Sequence, residues 1–145
     1  MYIKQLSVFV ENKPGRLAEV ARILGEAGIN IHALSVADTT NFGILRLIVS
    51  DNEKACEALK AADMTVKITE VVAVPLAHRP GGLHEVVSAL HKLDISIEYM
   101  YAFVSRSEVS RALVIFRLND QDESVKKMTD AGIEVMGPEI IDSLN

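Results

Sequence analysis

The sequence predicts an α+β protein built from two tandem βαββαβ units, each an antiparallel sheet with its helices on one face. Three observations carry this. With Pro14-Gly15 placed on Pro80-Gly81, residues 7–31 match residues 73–97 identically at nine of 25 positions, where chance gives roughly one or two. The hydrophobic period then switches between two and 3.6 residues in the same order in both copies. Finally, 145 residues with 49% hydrophobic and 24% charged side chains can bury real cores and are unlike a disordered chain. The expected boundaries are residues 1–68 and 69–145.

In the first copy Leu6, Val8 and Val10 alternate with polar neighbours, the pattern of a half-buried strand. Pro14-Gly15 breaks it. Leu17, Val20, Ala21 and Leu24 follow at helical spacing, predicting an amphipathic helix that ends before Gly28. Asn30 to Val36 and Gly43 to Ser50 read as strands joined through the turn-rich Asp38-Thr39-Thr40-Asn41. A second helix is expected from about Glu53 to Ala62, with Val66 onward extended. The second copy repeats the order, with Leu83, Val86, Val87 and Leu90 on its first helix and Ala112 to Phe116 as its most buried strand. Asp51 and Val66 match Asp120 and Val135 three residues further on, so an insertion is expected in a loop between Val104 and Ser110. This βαββαβ order is the ferredoxin-like split βαβ arrangement. The extended run Val66 to Leu76 must close the first unit and open the second, as either two short strands or one long one.

Composition excludes several functions. The net charge is −5 with no basic run, so the footprint of a nucleic-acid binder is missing. No apolar stretch approaches the ~20 residues that span a bilayer, and the N-terminus lacks the parts of a signal peptide. Cys56 is the only cysteine, which fits a reducing compartment and predicts a cytoplasmic protein. Cys56 falls on the apolar or boundary side of its helix, as a small buried hydrophobe does. His32, His78, His84 and His91 form no zinc spacing, and no phosphate-loop or nucleophile-elbow motif occurs. Neither a metal nor a cofactor is expected. Without an acid/base or nucleophile constellation, no catalytic residue is expected either.

The stretches Val10-Glu11-Asn12-Lys13-Pro14-Gly15-Arg16-Leu17 and Leu76-Ala77-His78-Arg79-Pro80-Gly81-Gly82-Leu83 resemble the strand-to-helix turn of the ACT domain. Gly28-Ile29-Asn30-Ile31 resembles that domain's next strand entry. The resemblance covers essentially the whole chain as two tandem units. It implies a regulatory protein that binds an amino acid or similar metabolite between paired units, with asparagines matching Asn12 and Asn30 holding the ligand as in a serine-binding member of the family. The candidate ligand-binding residues are therefore Asn12, Pro14, Gly15, Arg16, Leu17, Asn30 and Ile31 in the first copy, and His78, Gly81, Gly82, Leu83 and Ser96 in the second.

The chemistry is sound in its own right. An asparagine amide offers an acceptor to an ammonium and a donor to a carboxylate. A glycine lets backbone approach a ligand, and the first N–H groups of a helix suit a carboxylate. A purely structural reading also exists, in which Asn12 makes an Asx-turn, Pro14-Gly15 turns the chain and Asn30 caps a strand. The second copy has His78, Gly82 and Ser96 where the first has Asn12, Arg16 and Asn30, so the two turns are expected to differ in ligand binding. Tyr99, Tyr101 and Phe103 alternate onto one face of a strand, as sheet packing or as the lining of a pocket or interface.

Two functions follow. One is an amino-acid sensor or regulatory subunit that passes its state to a partner enzyme. The alternative is a subunit that binds no ligand and acts through protein association alone. Each unit has a sheet face that its own helices cannot cover, from which a homodimer is expected.

Overall fold

A computed structural model describes residues 2–11, 13–38, 41–104 and 111–144. Asn12, the Thr39-Thr40 pair and the insertion at 105–110 lie outside the described residues. The elements are β1 (Ile3–Glu11), α1 (Arg16–Glu26), β2 (Ile31–Asp38), β3 (Phe42–Val49), α2 (Asn52–Ala61), β4 (Thr65–Ala77), α3 (Gly82–Lys92), β5 (Ile97–Val104), β6 (Arg111–Leu118), α4 (Gln121–Asp130) and the short α5 (Glu139–Leu144). The chain divides into two compact units, one over Lys4–Thr69 and one over Glu70–Ile140. The division falls inside β4, which runs unbroken for 13 residues. Of the two alternatives for Val66 to Leu76, the single long strand is the one adopted.

In the first unit the strand order is β2-β3-β1-β4. The antiparallel register sets Leu6 against Leu47 and Val8 against Leu45, so alternate residues of both strands face the helices. They form one core with Val20 and Leu24 of α1 and Leu59 of α2. Cys56 is buried in the same core. Asp51 starts α2 by accepting a hydrogen bond from the Lys54 N–H at 3.1 Å, the use to which an N-cap carboxylate is suited.

The buried stripe of α1 differs from the expected one. Val20, Ile23 and Leu24 are buried, whereas Leu17 is 50% exposed and Ala21 also faces outward. Leu83, the matching residue of α3, is 47% exposed. Both leucines sit in the first helical turn, close after the glycine that turns the chain out of its strand.

The face of the first sheet turned away from its helices is buried over part of its area. Gln5, Ser7, Ala33 and Ile48 lie on it and none is more than 9% exposed. The same face also carries Phe9 and Phe42, which are 39% and 53% exposed, whereas the exposed Leu34 and Val36 lie on the other face. Around Phe9 and Phe42 this face is therefore left uncovered by the unit's own helices. Leu34 and Val36 are opposite Leu47 and Leu45 on the helix side of β2, but β2 is the edge strand and its own helices leave them in solvent.

In the second unit the order is β4-β6-β5. Val72 pairs with Phe116 and Val74 with Val114, and these join Leu90 and Met128 in the core. The sixth element of the repeat is reduced. In place of a closing strand there is one bridge, Ala73 to Met136, made by the Met136 N–H donating to the Ala73 carbonyl at 2.8 Å. Gly137-Pro138 follows at once, and proline has no N–H to continue a ladder. Tyr99, Tyr101 and Phe103 are opposite Arg117, Ile115 and Leu113 on the face away from the helices, and are half-buried.

Tyr2 belongs to the second unit and packs against its core. Its hydroxyl donates to Asp122 Oδ1. Burial, and then this bond to a carboxylate, push the phenol up from 10.0 to about 12. A proton held more tightly in the folded state stabilises it fully below pH 10, and that contribution is lost as pH rises toward 12. Urea unfolding from pH 9 to 12 should therefore show wild type losing more stability than Tyr2→Phe. Equal losses would contradict this assignment.

Candidate functional site

Each strand-to-helix turn is fixed by a glycine in the left-handed region, Gly15 at φ 87° and Gly81 at φ 86°. The turns share their backbone hydrogen bonds. Lys13 N–H donates to Glu11 O at 2.8 Å and Arg79 N–H to Ala77 O at 2.9 Å, then Glu19 N–H to Gly15 O at 2.9 Å and Glu85 N–H to Gly81 O at 3.1 Å. Pro14, Pro80 and both glycines are exposed, so the turns are open to solvent.

Their side chains differ. In the first turn Arg16 reaches Glu19 at 3.1 Å and Glu11 at 3.5 Å, and Lys13 reaches Glu11 at 2.8 Å. The Lys13 hydrogen bond, aided by the charges of Lys13 and Arg16, holds the Glu11 carboxyl below its ordinary range. In the second turn Ala77 and Gly82 occupy the positions of Glu11 and Arg16, and the ion pair is instead Arg79 to Glu85 at 2.5 Å. Gly82 is buried, and a Cβ there would stand 2.0 Å from the Ala77 carbonyl oxygen. Gly82 is thus positioned by backbone packing, while His78 is exposed beside it.

Asn30 and Ser96 do not approach these turns within their own units. β1 ends beside the start of β3, where Glu11 pairs with Phe42. Asn30 sits at the other end, exchanging hydrogen bonds with Ser50 through its carbonyl and N–H, each at 2.9 Å. From Phe42 to Val49 a strand rises about 23 Å. In the second unit Ala77 pairs with Arg111, while the Ser96 carbonyl accepts from the Asn119 N–H at 3.0 Å past the far end of β6. A single small ligand cannot touch both places within one unit. Ile31 begins β2 beside Asn30, half-buried.

A pocket of about 320 Å³ opens beside the first turn. It is lined by Phe9, Val10 and Glu11 of β1, Arg16 of α1, Phe42 of β3 and residues Ala62 to Thr65. All belong to the first unit. Of the expected site residues that are described, only Arg16 lines it. Asp63, which the sequence reading missed, has φ 61°, and the equivalent position three strands on is Gly132 at φ 81°. The signal was a helix end where one copy uses glycine and the other aspartate, two residues that tolerate this conformation. Among the described residues no group of three or more His, Cys, Asp or Glu side chains could hold a metal ion, and no helix is long and apolar enough to cross a membrane.

Similarity to known proteins agrees with this architecture. The chain is 31% identical over 140 residues to the acetolactate synthase small subunit of Aquifex aeolicus, a match covering 92% of this chain and 65% of that protein. The chain thus spans less than two thirds of the length of that relative. A crystal structure of a Bacteroides thetaiotaomicron protein is 38% identical and superposes with a TM-score of 0.87, covering 97% of this chain and 96% of the other. The regulatory subunit of aspartate kinase from Thermus thermophilus, at 18% identity and a TM-score of 0.60 over 88% of this chain and 91% of its own, shares the fold. The family model described as an ACT domain pair matches residues 1–139, and the chain belongs to that family.

Proposed function

We propose that this chain is a regulatory subunit that binds a free amino acid and passes its state to a partner enzyme by association, without catalysing a reaction itself. The observation that carries this reading is the match over nearly the whole chain to proteins named as small subunits. Two features support it. The duplicated turns leave Leu17 and Leu83 exposed at matching positions, and a large apolar side chain kept in solvent in both copies suits contact with a ligand or partner. Buried Cys56 as the sole cysteine suits a reducing cytoplasm.

Since Asn30 lies about 23 Å from the first turn of its own unit, we place any ligand shared by Asn30 and the Asn12 to Leu17 segment between two copies. The edge strand β2, with Leu34 and Val36 exposed, is the surface proposed for self-association. His78, Gly81, Leu83 and Ser96 form the corresponding set in the second unit. Gly82 is assigned to backbone packing there.

Thermal denaturation of the chain with each common amino acid in excess tests the reading. A ligand at 100 times its dissociation constant stabilises by about 2.7 kcal/mol, so one or a few amino acids should raise Tm by several degrees. If none does, the subunit acts through association alone, which the exposed leucines would equally serve.

A further inference from the structure

We infer that the corner between β6 and α4 is a joint that couples the two units, because it holds both β1 and β4 where these strands pass from one unit to the other. This goes beyond the regulatory reading and does not depend on which ligand, if any, the chain binds.

The division of the chain falls after Ile3 in β1 and after Thr69 in β4. On the second-unit side of both points the strands are held by side chains from one short segment. Arg117 Nη1 donates to the Glu70 carbonyl at 2.8 Å, and Gln121 Nε2 donates to the same oxygen at 2.9 Å. A carbonyl has two lone pairs, so it serves both donors at once. Asp122, the next residue of α4, accepts from the Tyr2 hydroxyl, and Tyr2 packs against the second core. The charges of Glu70 and Arg117 both act on that hydroxyl, so the two attachments belong to one cluster.

The cluster is braced. Arg117 Nε lies 3.6 Å from Glu98, and Gln121 Oε1 accepts from the Leu118 N–H at 3.3 Å. The ladder of β4 with β6 runs from Val72 to Ala77, so side chains hold β4 two residues beyond it. The corner also departs from the repeat at this place. Ile48 and Asn52 stand where the second unit has Arg117 and Gln121, and isoleucine offers no donor. Asp51 caps α2 from an extended backbone, whereas its counterpart Asp120 is left-handed at φ 45° and makes no side-chain cap. That conformation is disfavoured outside glycine and persists where the surroundings over-determine it. An opening of one unit therefore acts on the other through these bonds.

Native-state hydrogen exchange tests this by comparing the amides of Leu45 and Leu47 in β3 with those of Val114 and Phe116 in β6. Met128→Ala truncates a fully buried side chain of the second core and should lower the protection of the β6 amides roughly thirtyfold or more. With the joint intact, the β3 amides of the first unit should lose protection to the same extent. In the joint variant Tyr2→Phe/Arg117→Met/Gln121→Met, Met128→Ala should still act on β6 and leave β3 unchanged. Circular dichroism melting establishes that each variant is folded; Val125→Ala and Tyr2→Phe/Gln121→Met are the milder substitutes for the core and joint changes. If Met128→Ala leaves β3 unchanged when the joint is intact, or lowers its protection equally with and without the joint, the inference is overturned.

Discussion

Leu24→Ala and Leu90→Ala should each lower stability by about 2–5 kcal/mol, or Tm by about 5–20 °C. The two leucines are equivalent in the duplicated unit and both are fully buried, each in the core of its own unit. Removing three carbons from such a site loses transfer free energy and leaves a cavity that close-packed neighbours fill only in part. Leu17→Ala and Leu83→Ala, at the other matching pair, remove side chains that are about half exposed and should change stability by roughly 0.5 kcal/mol or less. Urea unfolding of the four variants checks the contrast. A cost at Leu17 equal to that at Leu24 would contradict the assignment of the buried helix face.

Two helical glycines should respond to alanine with opposite signs. Gly25→Ala adds a methyl group where nothing lies within 4 Å, and the gain in helix propensity should stabilise the protein by about 0.5–1 kcal/mol. At Gly82 the same methyl group would stand 2.0 Å from the Ala77 carbonyl oxygen. That neighbour is backbone and cannot rotate away, so overpacking of about 1–3 kcal/mol outweighs the propensity gain. Thermal melts of both variants read the signs directly. Stabilisation by Gly82→Ala would show that the second turn relaxes at little cost, and would weaken the case that close packing fixed glycine at a position where the first turn carries Arg16.

Much of the fold was legible because duplication doubled each weak local signal. A lone Pro14-Gly15 marks a turn, and its recurrence as Pro80-Gly81 marked a repeated unit. The regions where the reading fell short have physical reasons. Helical spacing alone put Leu17 on the buried stripe, because periodicity cannot show at which turn of a helix its apolar face first meets the core. The junction at Val66 to Leu76 stayed open, because a strand long enough for two units has the same alternating pattern as two short ones. The separation of Asn30 from its turn was implicit in the topology, since a strand and the parallel strand after its crossover helix begin at the same end. The pocket was hardest to read. Glu11, Phe42 and Asp63 come from three distant segments, and only the strand register brings them beside Arg16.

That the first turn carries most of the amino-acid binding is best read by amide NMR of the labelled chain titrated with the amino acid that most raises its Tm. The largest chemical-shift changes should fall on Lys13, Gly15 to Leu17, Asn30 and Ile31, with those of Arg79, Gly81 to Leu83 and Ser96 smaller. Shifts concentrated on the second turn, with those of the first unit unchanged, would contradict it.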